Sequence, residues 1–136
     1  ALTVHTRASI GLADWETAHT TATKLVALGP GEPEALELLG LVSVELGNAE
    51  EATRCFVELG KLQPTLAGPL LGRALVTARL EGDRGRAIAT LRRARVLDPT
   101  LDLTTLLLKP EWTSLAEDQE FVTALNTLLA ELRASE

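Results

Sequence analysis

The chain has 136 residues, the size of one domain, and a net charge of −6, which argues against general nucleic-acid binding because that depends on neutralising phosphate. Hydrophobic residues make up 46% of it, with only two Trp, two Phe and no Tyr. The core must therefore be Leu, Val, Ile and Ala, and without runs of alternating polarity the chain reads as all helix.

Other features bound the setting. A single cysteine, Cys55, excludes an intrachain disulfide framework and leaves the redox compartment open. No apolar run approaches the roughly 18 residues needed to cross a bilayer, and no signal peptide is visible, so the cytoplasm is the favoured compartment. The start at Ala1, without Met, reads as a piece of a longer protein. Alanine- and arginine-rich, lysine-poor usage points to a GC-rich bacterium.

In chain order, the first segment (1–32) holds Ala-Asp-Trp-Glu-Thr-Ala at 13–18 and closes on Ala27-Leu28-Gly29-Pro30. Two further segments close alike, on Lys61-Leu62-Gln63-Pro64 and Val96-Leu97-Asp98-Pro99. Ala18, Ala52 and Ala87 recur in step with the prolines, at a spacing of 34 or 35 residues. Each copy has room for two helices of about 14 residues and two turns.

The middle segment (33–66) is the clearest. Pro33 suits a first helical turn, and a helix to about Leu46 turns Leu36, Leu39, Gly40 and Val44 among its inward residues. Gly47-Asn48 breaks it. A second helix from Ala49 places Ala52, Cys55, Phe56 and Leu59 on one face, and Pro64 stops it. Gly40 and Ala52 are expected where the paired helices cross, with Phe56 and Leu91 filling the gap to the neighbouring pair.

The third segment (67–99) carries a basic run: Arg73, Arg79, Arg84, Arg86, Arg92, Arg93 and Arg95 against Glu81 and Asp83. A solvated outer face is the preferred reading, and a docking patch for an acidic partner the alternative. Residues 100–136 depart from the repeat. Thr100 and Asp102 are expected to start a short helix through Leu108, ended by Lys109-Pro110. After one more turn, Asp118 is the N-cap of a final helix with the stripe Phe121, Leu125, Leu128 and Leu132. Trp112 and Phe121 are expected to anchor this segment, which closes the end of the array; an aromatic ligand site is the alternative.

Helix pairs that cannot bury their apolar faces alone make a core by stacking. These residues resemble the tetratricopeptide repeat (TPR), with its pattern W-x2-L-G-x2-Y…A-x3-F…P. The middle segment reads Leu36-x2-Leu39-Gly40-x2-Ser43…Ala52-x3-Phe56…Pro64. The third reads Leu71-x2-Ala74-Leu75-x2-Ala78…Ala87-x3-Leu91…Pro99. The first reads Leu2-x2-His5-Thr6-x2-Ser9…Ala18-x3-Ala22…Pro30. The resemblance implies an all-α, right-handed solenoid of about three antiparallel helix pairs (1–32, 33–66 and 67–99) plus C-terminal capping helices (100–136).

Chemistry is thin. His5 and His19 lie on different expected helices, and Cys55 is far along the chain from both. No Cys/His spacing suits zinc, no glycine loop follows a strand, and Glu50-Glu51 sit where a helix N-terminus favours negative charge. His5 reads as a hydrogen-bonded, partly buried histidine, and Cys55 as a small apolar residue beside Phe56. No catalytic, cofactor-binding or metal-binding residue is assigned, and the chain is not read as an enzyme.

In the family resembled, the first helix of each pair lines a concave groove that holds an extended peptide or a helix. The matching positions are Thr3, Arg7 and Ile10; Glu34, Glu37, Leu41, Val44 and Glu45; and Pro69, Gly72, Arg73, Val76 and Arg79. The core of this proposed groove is Arg7, Glu37, Leu41, Val44, Arg73, Val76 and Arg79. The resemblance implies a scaffold or interaction module with a protein or peptide partner. The alternatives are a homo-oligomerisation module, or a regulatory arm of an enzyme whose catalytic domain lies elsewhere. Family members that hold the C-terminal tails of the chaperones Hsp70 and Hsp90 use a clamp whose places here are Thr3, Arg7, Leu38, Pro69 and Arg73. Only Arg73 fits, which argues against tail binding.

Overall fold

The structure, a computed structural model, describes residues 14–135. Among them are six α-helices and no strand: α1 (Trp15–Leu28), α2 (Pro33–Glu45), α3 (Ala49–Leu62), α4 (Gly68–Arg79), α5 (Arg84–Leu97) and α6 (Gln119–Ala134). Two short 3-10 turns, Leu106–Leu108 and Thr113–Glu117, lie between α5 and α6. The chain divides into two compact units that meet at Pro64 and Thr65. His5 and the positions Thr3, Arg7 and Ile10 lie outside the described residues.

In the first unit, α2 packs against both α1 and α3. Its start carries Pro33, whose missing N–H is no loss in a first turn. Its end turns at Gly47, whose φ of +77° is a left-handed conformation that side chains with a Cβ seldom adopt. The Asn48 N–H then donates to the Ser43 carbonyl at 2.8 Å, and the Asn48 side chain accepts from the Glu51 N–H at 3.1 Å to cap α3. One residue thus ends one helix and begins the next.

Gly40 meets the expectation for the crossing, and Ala52 is buried. A Cβ built on Gly40 would lie 2.8 Å from Cζ of Phe56, so the ring rests directly on the glycine backbone. Within its own pair Phe56 packs closely on α2, an approach that any side chain with a Cβ at position 40 would block.

The second unit repeats the turn. Gly82 has φ +67°, the Asp83 N–H donates to the Thr77 carbonyl at 3.1 Å, and the Asp83 side chain accepts from the Arg86 N–H at 3.0 Å. Leu75, Ala87, Leu91 and Ala94 are buried.

The expected helix from Thr100 to Leu108 does not form. The Asp98 carboxylate accepts from both the N–H and the hydroxyl of Thr100, and Asp102 does the same with Thr104. Such side-chain bonds compete with helical ones, and only the turn Leu106–Leu108 survives. Lys109 is extended, as a residue before proline prefers.

Asp118 caps α6 as expected, accepting from the Phe121 N–H at 3.3 Å. Phe121, Leu125 and Leu128 are buried, whereas Leu132 is half-buried. Trp112 and Phe121 are both buried and stacked, with ring centroids 6.2 Å apart at 28°. They are core, not a ligand site. The break in the repeat is also narrower than expected. The side-chain N-caps fall at Asp14, Asn48, Asp83 and Asp118, so the 34- or 35-residue register runs on through the last helix. Residues 100–118 are therefore where a first helix has been replaced by turns, and α6 keeps the place of a second helix.

Candidate functional site

The outer face of α2 is narrower than the sequence implied. Glu34 and Glu37 are exposed, and Leu41 and Glu45 are half-buried. Val44, expected in the groove, is only 1% exposed. The reason is that α2 is held between α1 and α3, so its buried arc is wider than the single stripe of a surface helix.

The face of α4 is also narrower than expected. Val76 is 1% exposed, and Pro69 and Gly72 are also buried. Arg73 and Arg79 are half-buried. Nη1 of Arg79 donates to the Glu111 carbonyl at 3.1 Å, so this arginine ties α4 to the segment before α6 rather than standing free for a ligand. Leu38 and Pro69, two places of the chaperone-tail clamp, are buried and cannot meet a carboxylate. Of the expected groove residues that are described, Glu34, Glu37, Leu41, Glu45 and Arg73 remain reachable.

A polar cluster joins all three helices of the first unit. Nε2 of His19 on α1 lies 2.6 Å from Oε1 of Glu51 on α3, and the Ser43 hydroxyl on α2 donates to the same oxygen at 2.6 Å. The Leu39 carbonyl lies 2.7 Å from that hydroxyl. Arg54 Nη2 is 3.6 Å from the other carboxylate oxygen. Burial alone would push the Glu51 carboxyl up. The bonds from Ser43 and His19, with the charges of His19 and Arg54, outweigh it and hold the carboxyl below its ordinary value.

These groups do not form a nucleophilic site. The Ser43 proton goes to a carboxylate, with no histidine to accept it. Burial, with a smaller effect from the Glu51 charge, pushes the Cys55 thiol up to about 11, so it stays protonated and unreactive. It packs with Ala22, Leu39 and Val26 as a small apolar side chain. Among the described residues no group of three or more His, Cys, Asp or Glu side chains could hold a metal ion. The cluster was missed in the sequence. Its one signal was Ser43, a small hydroxyl on an inward position where the repeat pattern has Tyr: a buried hydroxyl needs a partner.

The basic run is partly neutralised from within its own unit. Arg84 on α5 bonds Asp118 through Nε at 2.8 and 3.1 Å and reaches Glu120 at 3.1 Å. Arg92 pairs with Glu131 on α6, and Arg86 with Glu81 at 3.8 Å. Two of the arginines of α5, Arg84 and Arg92, thus meet carboxylates at the start and along the chain's own last helix.

No family model matches the chain. Over 77 residues, 56% of the chain, it is 38% identical to the Cellulose synthase 2 operon protein C of Komagataeibacter xylinus, and it spans only 6% of that protein's length. Its fold resembles the crystal structure of a thermophilic TPR protein of Thermus thermophilus, with a TM-score of 0.69 over 93% of this chain and 68% of that one, at 22% identity. Both compared proteins are bacterial. No described helix is long and apolar enough to cross a membrane.

Proposed function

From its tetratricopeptide-repeat fold as premise, we propose that the chain is a non-catalytic protein-interaction module that captures a peptide or helix on the first helices of its pairs. The observation that carries this is the row Glu37 and Leu41: a half-buried leucine beside an exposed carboxylate, on a helix whose other faces are locked. Such a row suits a partner that inserts an apolar side chain and brings a cation to the rim. Because the face is preformed, binding carries little ordering cost.

The test is selection of binders from a random-peptide phage library, followed by titration calorimetry with Leu41→Glu. Loss of affinity with unchanged helicity supports the reading. Unchanged affinity for every selected peptide overturns it. Val76→Glu is unsuitable, since it would place a charge in the core.

A second reading has its own support in the 38% identity over 77 residues to the cellulose synthase operon protein. On this reading the module is a scaffold segment of a much longer protein and docks a component of a polysaccharide-synthesising assembly. Cross-linking of the full-length protein in cells tests it: recovery of no component of such an assembly would count against it.

A further inference from the structure

We propose that the partner of the Glu37 and Leu41 face is a second copy of this chain, which presents Arg93 and Val96 on the outer face of its α5. This rests on reading that face of α2 as a binding surface, and it names the occupant.

Charge accounting singles out the two ionic groups. Five arginines lie on α5, and four of them are engaged within the chain: Arg84, Arg86 and Arg92 by carboxylates, and Arg95 by an interaction of its own. Arg93 is exposed and has no such partner among the described residues. On α2, Glu34 and Glu45 are engaged in the same sense, whereas Glu37 is exposed and has no partner among the described residues.

The apolar residues complete the match. Val96, one turn after Arg93, is 76% exposed, although valine is a poorer helix former than the Ala, Lys or Glu that suit a water-facing position. Leu41 lies one turn after Glu37 and is half-buried. Residues three or four apart are neighbours on a helix surface. Each helix therefore shows one charge and, a turn nearer its C-terminus, one apolar side chain. The charges are opposite, so α2 and α5 laid parallel would set Glu37 on Arg93 and Leu41 on Val96. A helix from another protein would need this chemistry; the chain already carries it.

Because the two faces differ, the contact is head to tail, and each copy keeps one face open for the next. One ion pair and one apolar contact place it at the weak end of association, with Kd about 0.1–1 mM. The charge of −6 on each copy opposes assembly, and salt screens that long-range repulsion more than it screens a close pair.

The test is sedimentation equilibrium of the chain up to about 1 mM in about 0.15 M salt. The expected result is an average mass that rises with concentration. Glu37→Arg and Arg93→Glu should each weaken assembly at least about five-fold, because each sets like charges against one another, and Val96→Glu should do the same. A 1:1 mixture of the Glu37→Arg and Arg93→Glu chains should recover the original affinity, which a role confined to one chain could not produce. Circular dichroism should be unchanged throughout. A monomeric mass at every concentration, undiminished assembly by any of the three variants, or a mixture no better than its components overturns the proposal. Peptide binding and its loss in Leu41→Glu are read separately. A chain that stays monomeric yet binds such peptides therefore removes the second copy and leaves the α2 face standing.

Discussion

The two units solve one packing problem with different side chains. In the first, the paired helices cross with Phe56 resting on Gly40; in the second, 35 residues on, the same places hold Leu91 and Leu75, both buried. A ring over a glycine and two leucines occupy comparable space, and a core tolerates swaps that keep volume. The polar cluster differs more. Ser43 and Glu51 correspond to Ala78 and Arg86, and Arg86 pairs with Glu81 at the surface. The first unit therefore ties its three helices through one shared carboxylate. The second instead binds its last helix with an aromatic stack and ion pairs. Repeats dictate where helices cross, and the means of holding them is free to vary.

The largest break should come in the second unit. Phe121→Ala removes a fully buried ring stacked on Trp112 and should lower stability by about 3–5 kcal/mol, read from urea unfolding by circular dichroism. Trp fluorescence should report solvent at the cap in the same experiment.

The equivalence of the two crossings is tested next. Gly40→Leu drives a side chain into the Phe56 ring and should cost about 1–3 kcal/mol. Gly40→Leu with Phe56→Leu copies the second unit into the first and should recover most of that loss. If the double variant is no better than the single one, the two joints are not equivalent.

The shared carboxylate comes third. Glu51→Gln removes the charge that Ser43 and His19 meet, at a cost of about 1–3 kcal/mol at neutral pH. Glu51 is held below its ordinary value of 4.5, so the folded chain binds its proton less readily than the unfolded chain. Its contribution is present above about pH 4.5 and is lost as pH falls through the lowered folded value. The acid-side slope of stability should thus be shallower in Glu51→Gln, measured by urea unfolding between neutral and acid pH.

The smallest effect belongs to the surface. Arg92→Gln breaks an exposed pair with Glu131 and should change stability by no more than about 1 kcal/mol, a difference that shrinks further in salt. A larger loss would mean that α6 is held by charge more than by its buried stripe.

Much of this was legible in the sequence for a local reason. Gly47 and Gly82 mark the turns because only glycine adopts positive φ easily, and Asn48 and Asp118 mark helix starts because short polar side chains cap the first turn. The recurring Ala52 and Ala87 are both buried, as their place in the repeat led one to expect. The groove was less legible. Val44 is buried because α2 packs on both α1 and α3 and so buries a wider arc than a surface helix, while the burial of Val76 on α4 is a feature that helical periodicity does not show. The failed helix after Thr100 followed from Asp98 and Asp102 bonding their own backbone, a choice the pattern of residues left open.

The sequence by itself determined the all-helical class, the register of the pairs and the places of the turns, because each depends on residues within one or two turns of each other. Only the tertiary structure decided which outer residues stay reachable, that Glu51 serves three helices, and that Arg84 and Arg92 of α5 are met by carboxylates of α6. Those depend on residues more than 30 positions apart being brought within hydrogen-bond distance, and periodicity carries no information about such meetings.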